Sequence, residues 1–302
     1  MKVAVIGIGS NSVRMLLAEV KDGRLHRLRR EREGTRLFAG LDGQRRLSRE
    51  AMEKSAAAVK AMAELARAGG AEKIHLFATS ATRDAANQQE FAAALQEASG
   101  LTLEICSGDE EAALSFYGAS GGGDCGVIDI GGGSTEIVVG RGMDVRCAFS
   151  CQMGAVRLSQ LLPIRDHGDL PAVVEAADAI LQEKLRGHPA LTLPAQWRGT
   201  GGTFTTLAAI VRGMHWTERT YMHGTPVTLE DAERTARMLA DMTLEQRRSL
   251  PGLQPNRADI VVHGICILLA CMRRMGVNCI TVSEYGNLDG YVRAHYDVRE
   301  EG

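Results

Sequence analysis

The sequence predicts an α/β protein built of two similar lobes with a cleft between them. Three observations predict it. A strand–turn–strand pattern near the N-terminus returns 122 residues later, segments patterned as strands and helices alternate, and a glycine run separates the halves. Val5-Ile6-Gly7-Ile8-Gly9-Ser10-Asn11-Ser12 aligns without gaps on Val127-Ile128-Asp129-Ile130-Gly131-Gly132-Gly133-Ser134, sharing the valine, both isoleucines, one glycine and the last serine. A period this long signals duplicated lobes rather than a solenoid. Two such turns, brought face to face, would form the cleft. The length of 302 residues suits two domains. With the boundary at Ser120-Gly121-Gly122-Gly123, they are 1–122 and 123–302.

The elements follow in order. Lys2 to Ile6 reads as a strand, and the apolar run Val13 to Val20 follows the first turn. Arginine-rich polar sequence then continues to about Arg49. Ser48 is placed to cap an amphipathic helix running to Ala68. Ile74 to Ala78 reads as a buried strand, Arg83 to Ala98 as a helix, Leu101 to Ile105 as a strand, and 108 to about 118 as a helix. Beyond the glycines, Val127 to Ile130 and Thr135 to Gly140 read as strands. The remainder is richer in helix, at about 154–162, 169–186, 203–212, 228–241 and 256–275. Thr228 and Thr243 open capping boxes. A short strand, Ile280 to Ser283, precedes a last helix at about 287–300, which is placed to pack back on the first lobe.

Composition narrows the function. With 45% hydrophobic and 24% charged residues, the chain is an ordinary globular protein. A net charge of −2 excludes a globally basic nucleic-acid binder, so no nucleic-acid partner is expected. No apolar run spans a bilayer, and the N-terminus turns glycine-rich too early for a signal peptide, so the expected location is the cytoplasm. The seven cysteines lack zinc-type spacing and read as reduced, mostly buried thiols.

Both repeated turns suit an anion. Glycine backbone approaches a phosphate closely and aims N–H groups at it, and Ser10, Asn11, Ser12 and Ser134 add neutral donors. A tight β-hairpin needs the same residues; the duplication favours the anion. A third turn, Gly199-Thr200-Gly201-Gly202-Thr203, opens a helix, which suits either an anion or a simple Thr203 cap. Asp129 and Glu136 flank the second turn, and Asp109-Glu110-Glu111 opens the helix before the glycine run. Splitting a phosphoanhydride with water needs a carboxylate to orient or deprotonate the water, and usually a divalent cation. Asp129, Glu136 and Glu111 are the suppliers, against the plainer reading of Asp109 to Glu111 as a solvated first turn. Arg83, at a strand end, could clamp phosphate oxygens or lie on a helix surface. The nine arginines between Arg24 and Arg49 read either as a solvated strand face or as a track for a polyanion. His263 reads as packed rather than catalytic. No P-loop or nucleophile elbow occurs.

These residues resemble the Ppx/GppA phosphatases (exopolyphosphatase and guanosine pentaphosphate phosphohydrolase). The match covers Gly9-Ser10-Asn11-Ser12 with Arg14, Ala78 to Arg83, Ser107 to Ala112, Asp129 to Glu136, Met153-Gly154, Gly199 to Thr203, Arg257-Ala258-Asp259 and Ser283 to Gly286. The resemblance implies two ribonuclease-H-like lobes of the actin, sugar-kinase and heat-shock-chaperone superfamily, binding polyphosphate or the triphosphate of pppGpp between them. It implies that Glu111 activates water and that Asp129 and Glu136 sit at the metal, Mg2+ or Mn2+. Ser10, Asn11, Ser12, Arg83, Gly131, Gly132, Gly133 and Ser134 fall at phosphate-contacting positions, and our reading adds Thr135, Gly201, Gly202 and Thr203. One position departs from the pattern: Gly7 stands where the family's first turn usually begins with aspartate, which points to altered metal dependence. The expected activity is release of terminal orthophosphate from polyphosphate. The alternatives are pppGpp 5′-phosphate hydrolysis, a regulator that binds (p)ppGpp or polyphosphate without turnover, and, least favoured, an ATP-dependent sugar kinase. A homodimer is compatible with the apolar helix 256–275, which burial within the second lobe explains equally well.

Overall fold

The duplicated sequence becomes a duplicated hairpin. In this computed structural model, which describes residues 1–188, 191–218 and 221–298, β1 (Lys2–Ile8) pairs antiparallel with β2 (Val13–Lys21), and β2 with β3 (Arg24–Glu33). Across β1 lie β4 (Lys73–Ala78) and β5 (Leu103–Ile105), both parallel, giving the order β3-β2-β1-β4-β5. The same plan recurs in β6 (Asp124–Ile130), β7 (Thr135–Arg141), β8 (Asp144–Cys151), β9 (Trp197–Thr200), β10 (Pro226–Thr228) and β11 (Cys279–Val282), ordered β10-β11-β9-β6-β7-β8. Adding 122 to the bounds of β1 gives those of β6, and to the first residue of β2 that of β7. Three antiparallel strands followed by two parallel ones in each sheet, with β10 added antiparallel at the far edge of the second, give the two-lobed α/β plan that the sequence implies.

Both faces of β1 are buried, so its side chains read as a continuous apolar run. Ala4, Ile6 and Ile8 face α1 (Arg49–Ala68) and α3 (Gln88–Ser99), which follows the single turn α2 (Ser80–Arg83). Val3 and Val5, and with them Gly7, face the other way. There α4 (Gly108–Ala119) contributes Leu114 to their cluster, while its Ala112, Phe116 and Ala119 pack on Cys125 and Val127 of the second sheet. One helix therefore lies between the two sheets and touches both. The large second-lobe core lies on the other face of β6, against α5 (Ala155–Leu161), α6 (Leu170–Arg186), α7 (Gly202–Arg212), α8 (Leu229–Ala240) and α10 (Val261–Met275), with α9 (Leu244–Arg248) beside it. The last helix, α11 (Asn287–His295), adds Leu288, Tyr291 and Val292 to the cluster on β1 and lies along α4; residues 299–300 of its expected span lie outside the described residues.

Local signals explain the boundaries. Ser48 Oγ accepts from Ala51 N–H at 3.2 Å, and the boxes at Thr228 and Thr243 both form. The helix expected over 83–98 is instead two pieces. Asn87 bonds the backbone of Leu47 in both directions (2.8 and 3.1 Å), and Asp84 takes Arg157 at 2.6 Å, so polar side chains leave the helical path for tertiary partners. The arginine-rich segment is strand β3 at the sheet edge. Helix α10 is buried within the second-lobe core. Five of the seven cysteines are buried, and all are free. His263 is packed, with Nε2 2.7 Å from the Leu162 carbonyl. Among the described residues, no helix is long and apolar enough to cross a membrane.

Candidate functional site

The turns at the two hairpin ends meet. Gly9 N–H donates to Ser12 O, and Gly131 N–H to Ser134 O, each at 3.0 Å, so the repeats close the same way. A Cβ on Gly132 would lie 2.9 Å from Ser10 Cβ, and one on Gly133 2.5 Å from Ser80 Oγ and 2.7 Å from Ser10 Oγ. Glycine is required there because the opposite turn occupies the space. The carbonyls of the second turn are engaged behind it: Gly131 O accepts from Ala155 N–H, Gly132 O from Val156 and Arg157 N–H, and Gly133 O from Arg157 Nε at 2.7 Å. In the first turn, Ser10 O and Asn11 O accept from Phe38 and Arg36 N–H. The N–H groups of Ser10, Asn11, Ser12, Gly132, Gly133 and Ser134 donate to no acceptor among the described residues. Acceptors tied back and donors left over make a site for an anion. The buried Asn11 amide, with neither Nδ2 nor Oδ1 partnered, adds to it.

Three carboxylates lie beside the turns in a cleft of about 320 Å³. Glu111 comes from the first turn of α4, whose Ser107–Glu110 capping box fixes the helix start. Asp129 and Glu136 are paired across β6 and β7. Ser115, one helical turn after Glu111, donates to Asp129 Oδ2 at 2.6 Å, and Ser150 of β8 donates to Glu136 Oε1 at 2.8 Å. Burial pushes all three carboxyls above the usual range. Arg83 opposes this at Glu111; Ser115, Arg14 and Arg257 oppose it at Asp129. At Glu136 the charges of Glu111 and Asp129 act in the same direction as burial and hold the carboxyl well above that range. A carboxyl that holds its proton to higher pH in the folded chain than in the unfolded one costs stability as pH rises above the normal range near 4. Glu136→Gln therefore raises Tm at pH 8, by about 2–4 °C per kcal/mol relieved, and the gain fades towards pH 4. Thermal denaturation at the two pH values checks this.

Most of the predicted residues line this cleft: Ser10, Asn11, Ser12, Gly131, Gly132, Ser134, Gly201, Gly202, Thr203 and the three carboxylates. In the third turn, Gly201 has φ +100°, and the Gly202 Cα lies so close to the Arg257 guanidinium that a Cβ would fall 1.6 Å from Nη1. Three predicted residues lie off the walls. Thr135 is fully buried and donates to Met153 O at 2.6 Å, Gly133 of the second turn is packed against Ser10 and Ser80 and is not part of the lining, and Arg83 lies behind Glu111, donating from Nη1 to Glu111 Oε2 at 3.1 Å and to Cys106 O at 2.9 Å. The structure adds Arg30 and Arg32 to the lining, together with Arg14 and Arg257, which the family match includes but to which the sequence reading gave no role. Arg14 was within reach of sequence reasoning, since the 122-residue offset sets it opposite Gly7 as Glu136 is set opposite Asp129. Ser115 and Ser150 carry no such signal.

Among the described residues, no three His, Cys, Asp or Glu side chains group as a metal cage. Magnesium is usually held by only one or two carboxylates, with water and substrate phosphate completing its shell. Asp129 and Glu136, buried with like charges beside them, fit that demand. Gly7 supplies nothing: a Cβ there would meet Leu288 Cδ2 at 2.9 Å and Phe77 Cζ at 3.1 Å, so apolar groups fill the place.

Two lobes of this plan, closing donor-rich turns and a buried acid cluster on one cleft, define the actin-like and sugar-kinase-like class of phosphoryl-handling proteins. Within that class, the chain belongs to the Ppx/GppA phosphatase family, whose model matches residues 16–295, and it is a phosphoanhydride hydrolase of that type. Exopolyphosphatase 2 of Mycobacterium tuberculosis is 36% identical, with 96% of this chain and 97% of the relative covered. Among solved structures, an exopolyphosphatase-like protein is 29% identical with a TM-score of 0.88, covering 97% of each chain. The PPX-GPPA enzyme of Aquifex aeolicus is 27% identical with a TM-score of 0.82, covering 98% of this chain and 99% of that one.

Proposed function

We propose that the protein is an exopolyphosphatase, releasing terminal orthophosphate from inorganic polyphosphate by attack of water. One observation carries the choice of substrate: the cleft is lined by Arg14, Arg30, Arg32 and Arg257 and, among the described residues, by no aromatic or histidine side chain. A guanine base would call for a stacking partner, whereas a phosphate chain calls only for cations and N–H donors. The names of the relatives agree with this reading.

The terminal phosphoryl group lies between the two turns, where the free N–H groups and the Asn11 amide hold its oxygens. Glu111 accepts a proton from the attacking water, or orients it; the water oxygen bonds phosphorus, the bridging P–O bond breaks, and orthophosphate leaves a chain shorter by one unit. Arg83 keeps Glu111 oriented and favours its charged form despite burial. Asp129 and Glu136 would hold Mg2+ or Mn2+, which when bound supplies charge neutralisation at the phosphoryl oxygens. Gly7, with its place filled by Leu288, favours a second reading in which the cleft binds such ligands without turnover. Orthophosphate release from polyphosphate, pppGpp and ATP across a Mg2+ and Mn2+ titration separates the two. The proposal expects metal-dependent release that is fastest from polyphosphate. Tight binding with no release at any metal concentration would establish the second reading.

A further inference from the structure

The first turn of α11 reaches the cleft and holds two of its arginines. Asn287 Oδ1 accepts from Arg14 Nη2 at 3.2 Å. Asp289, with its side chain only 2% exposed, accepts Arg27 Nε at 2.7 Å and Arg30 Nη2 at 2.8 and 2.9 Å on its two oxygens. Arg30 Nη1 donates to the Glu284 carbonyl at 3.0 Å, and the Arg27 guanidinium lies 3.7 Å from the centre of the Tyr285 ring. One carboxylate thus carries two guanidinium groups, so the triad of Arg27, Arg30 and Asp289 holds one cation more than it has carboxylates. Arg27 is mostly covered. Arg30, its side chain 38% exposed, lines the cleft wall with Nη1 held by the Glu284 carbonyl and Nη2 by Asp289.

The placement of Arg30 matters. It pairs with Leu16, three register steps along β2 from Val13, where the first turn ends. Three steps are about 10 Å, which is beyond the phosphoryl group that the turns would hold. We infer that Asp289 is a positioning residue, which aims Arg30 at a later phosphate of a chain-like substrate and so makes the enzyme favour long chains over short ones. The inference rests on the polyphosphate reading above, and it concerns the grip on the substrate, not the bond-breaking step.

The test compares Asp289→Asn, Arg30→Gln and the double variant on long-chain polyphosphate and on tripolyphosphate. Because Asp289 also accepts from Gly286 N–H at the start of α11, Arg30→Gln is the variant that leaves the helix start intact. In both single variants, KM for the long chain rises roughly tenfold, several times more than for tripolyphosphate, and the salt dependence of long-chain binding weakens. The double variant loses no more than Arg30→Gln alone, since the carboxylate acts through the arginine. Equal losses on both lengths, additive losses, or an unchanged KM in Arg30→Gln would overturn the inference. The same length contrast is read in Kd by calorimetry, so it is decided even if the wild-type protein releases no phosphate. That absence of release would instead contradict the proposed activity.

Discussion

Glu111→Gln lowers kcat for orthophosphate release by roughly two to four orders of magnitude, the usual worth of a positioned general base, while polyphosphate still binds. The geometry separates these effects. The groups assigned to hold the phosphate are on the turns, whereas Glu111 comes from α4 and is held by Arg83 at 3.1 Å. Glutamine keeps the shape and an oxygen for Arg83, but it cannot take a proton. It also removes one of three crowded buried charges, so Tm holds or rises. Steady-state kinetics with calorimetric binding checks both halves, and wild-type turnover in this variant would remove the mechanism.

Gly290→Ala is expected to damage the protein as a whole. A Cβ there would fall 1.7 Å from the Leu114 carbonyl oxygen and 3.0 Å from Gly118 N, while a Cβ on Gly118 would fall 2.0 Å from Gly286 O. Backbone meets backbone at this crossing of α4 and α11, so no side chain can swing aside. Overpacking of this kind costs about 3 kcal/mol or more, a fall in Tm of roughly 6–12 °C. Activity falls too, because Leu114 sits on α4 between Glu111 and Ser115. Gly43→Ala, at a position with open space around it and ordinary φ, is the control and leaves Tm within about 1 °C. Thermal denaturation of the two variants decides the matter; equal Tm values would contradict the crossing described.

These dependencies were unevenly legible in the sequence. The hairpin pair was readable because a tight turn at a shared edge constrains eight consecutive residues in each copy, and a lobe with two buried faces leaves an apolar run. Strand β3 was hidden: of its ten residues only Leu25 is buried, so no alternation marks it. Strand β8, Asp144–Cys151, likewise buries only Phe149 and Cys151. Arg83 illustrates a different limit. Its place at the end of β4 suggested a phosphate clamp, but its partner is a carboxylate 28 residues away, delivered by a helix between two sheets. Ser115 and Ser150 matter only through the carboxylates they touch, and nothing local distinguishes either from an ordinary serine. Leu288 against Gly7 is the same kind of fact, a contact across the fold between residues that look unrelated in the chain.

The most direct test is a crystal structure of the Glu111→Gln protein with tripolyphosphate. The account predicts a terminal phosphoryl group held by backbone N–H groups from both hairpin turns, with residue 111 within reach of a water in line with the bridging bond. Tripolyphosphate bound outside the cleft, or held by one turn alone with residue 111 remote from phosphorus, would contradict it.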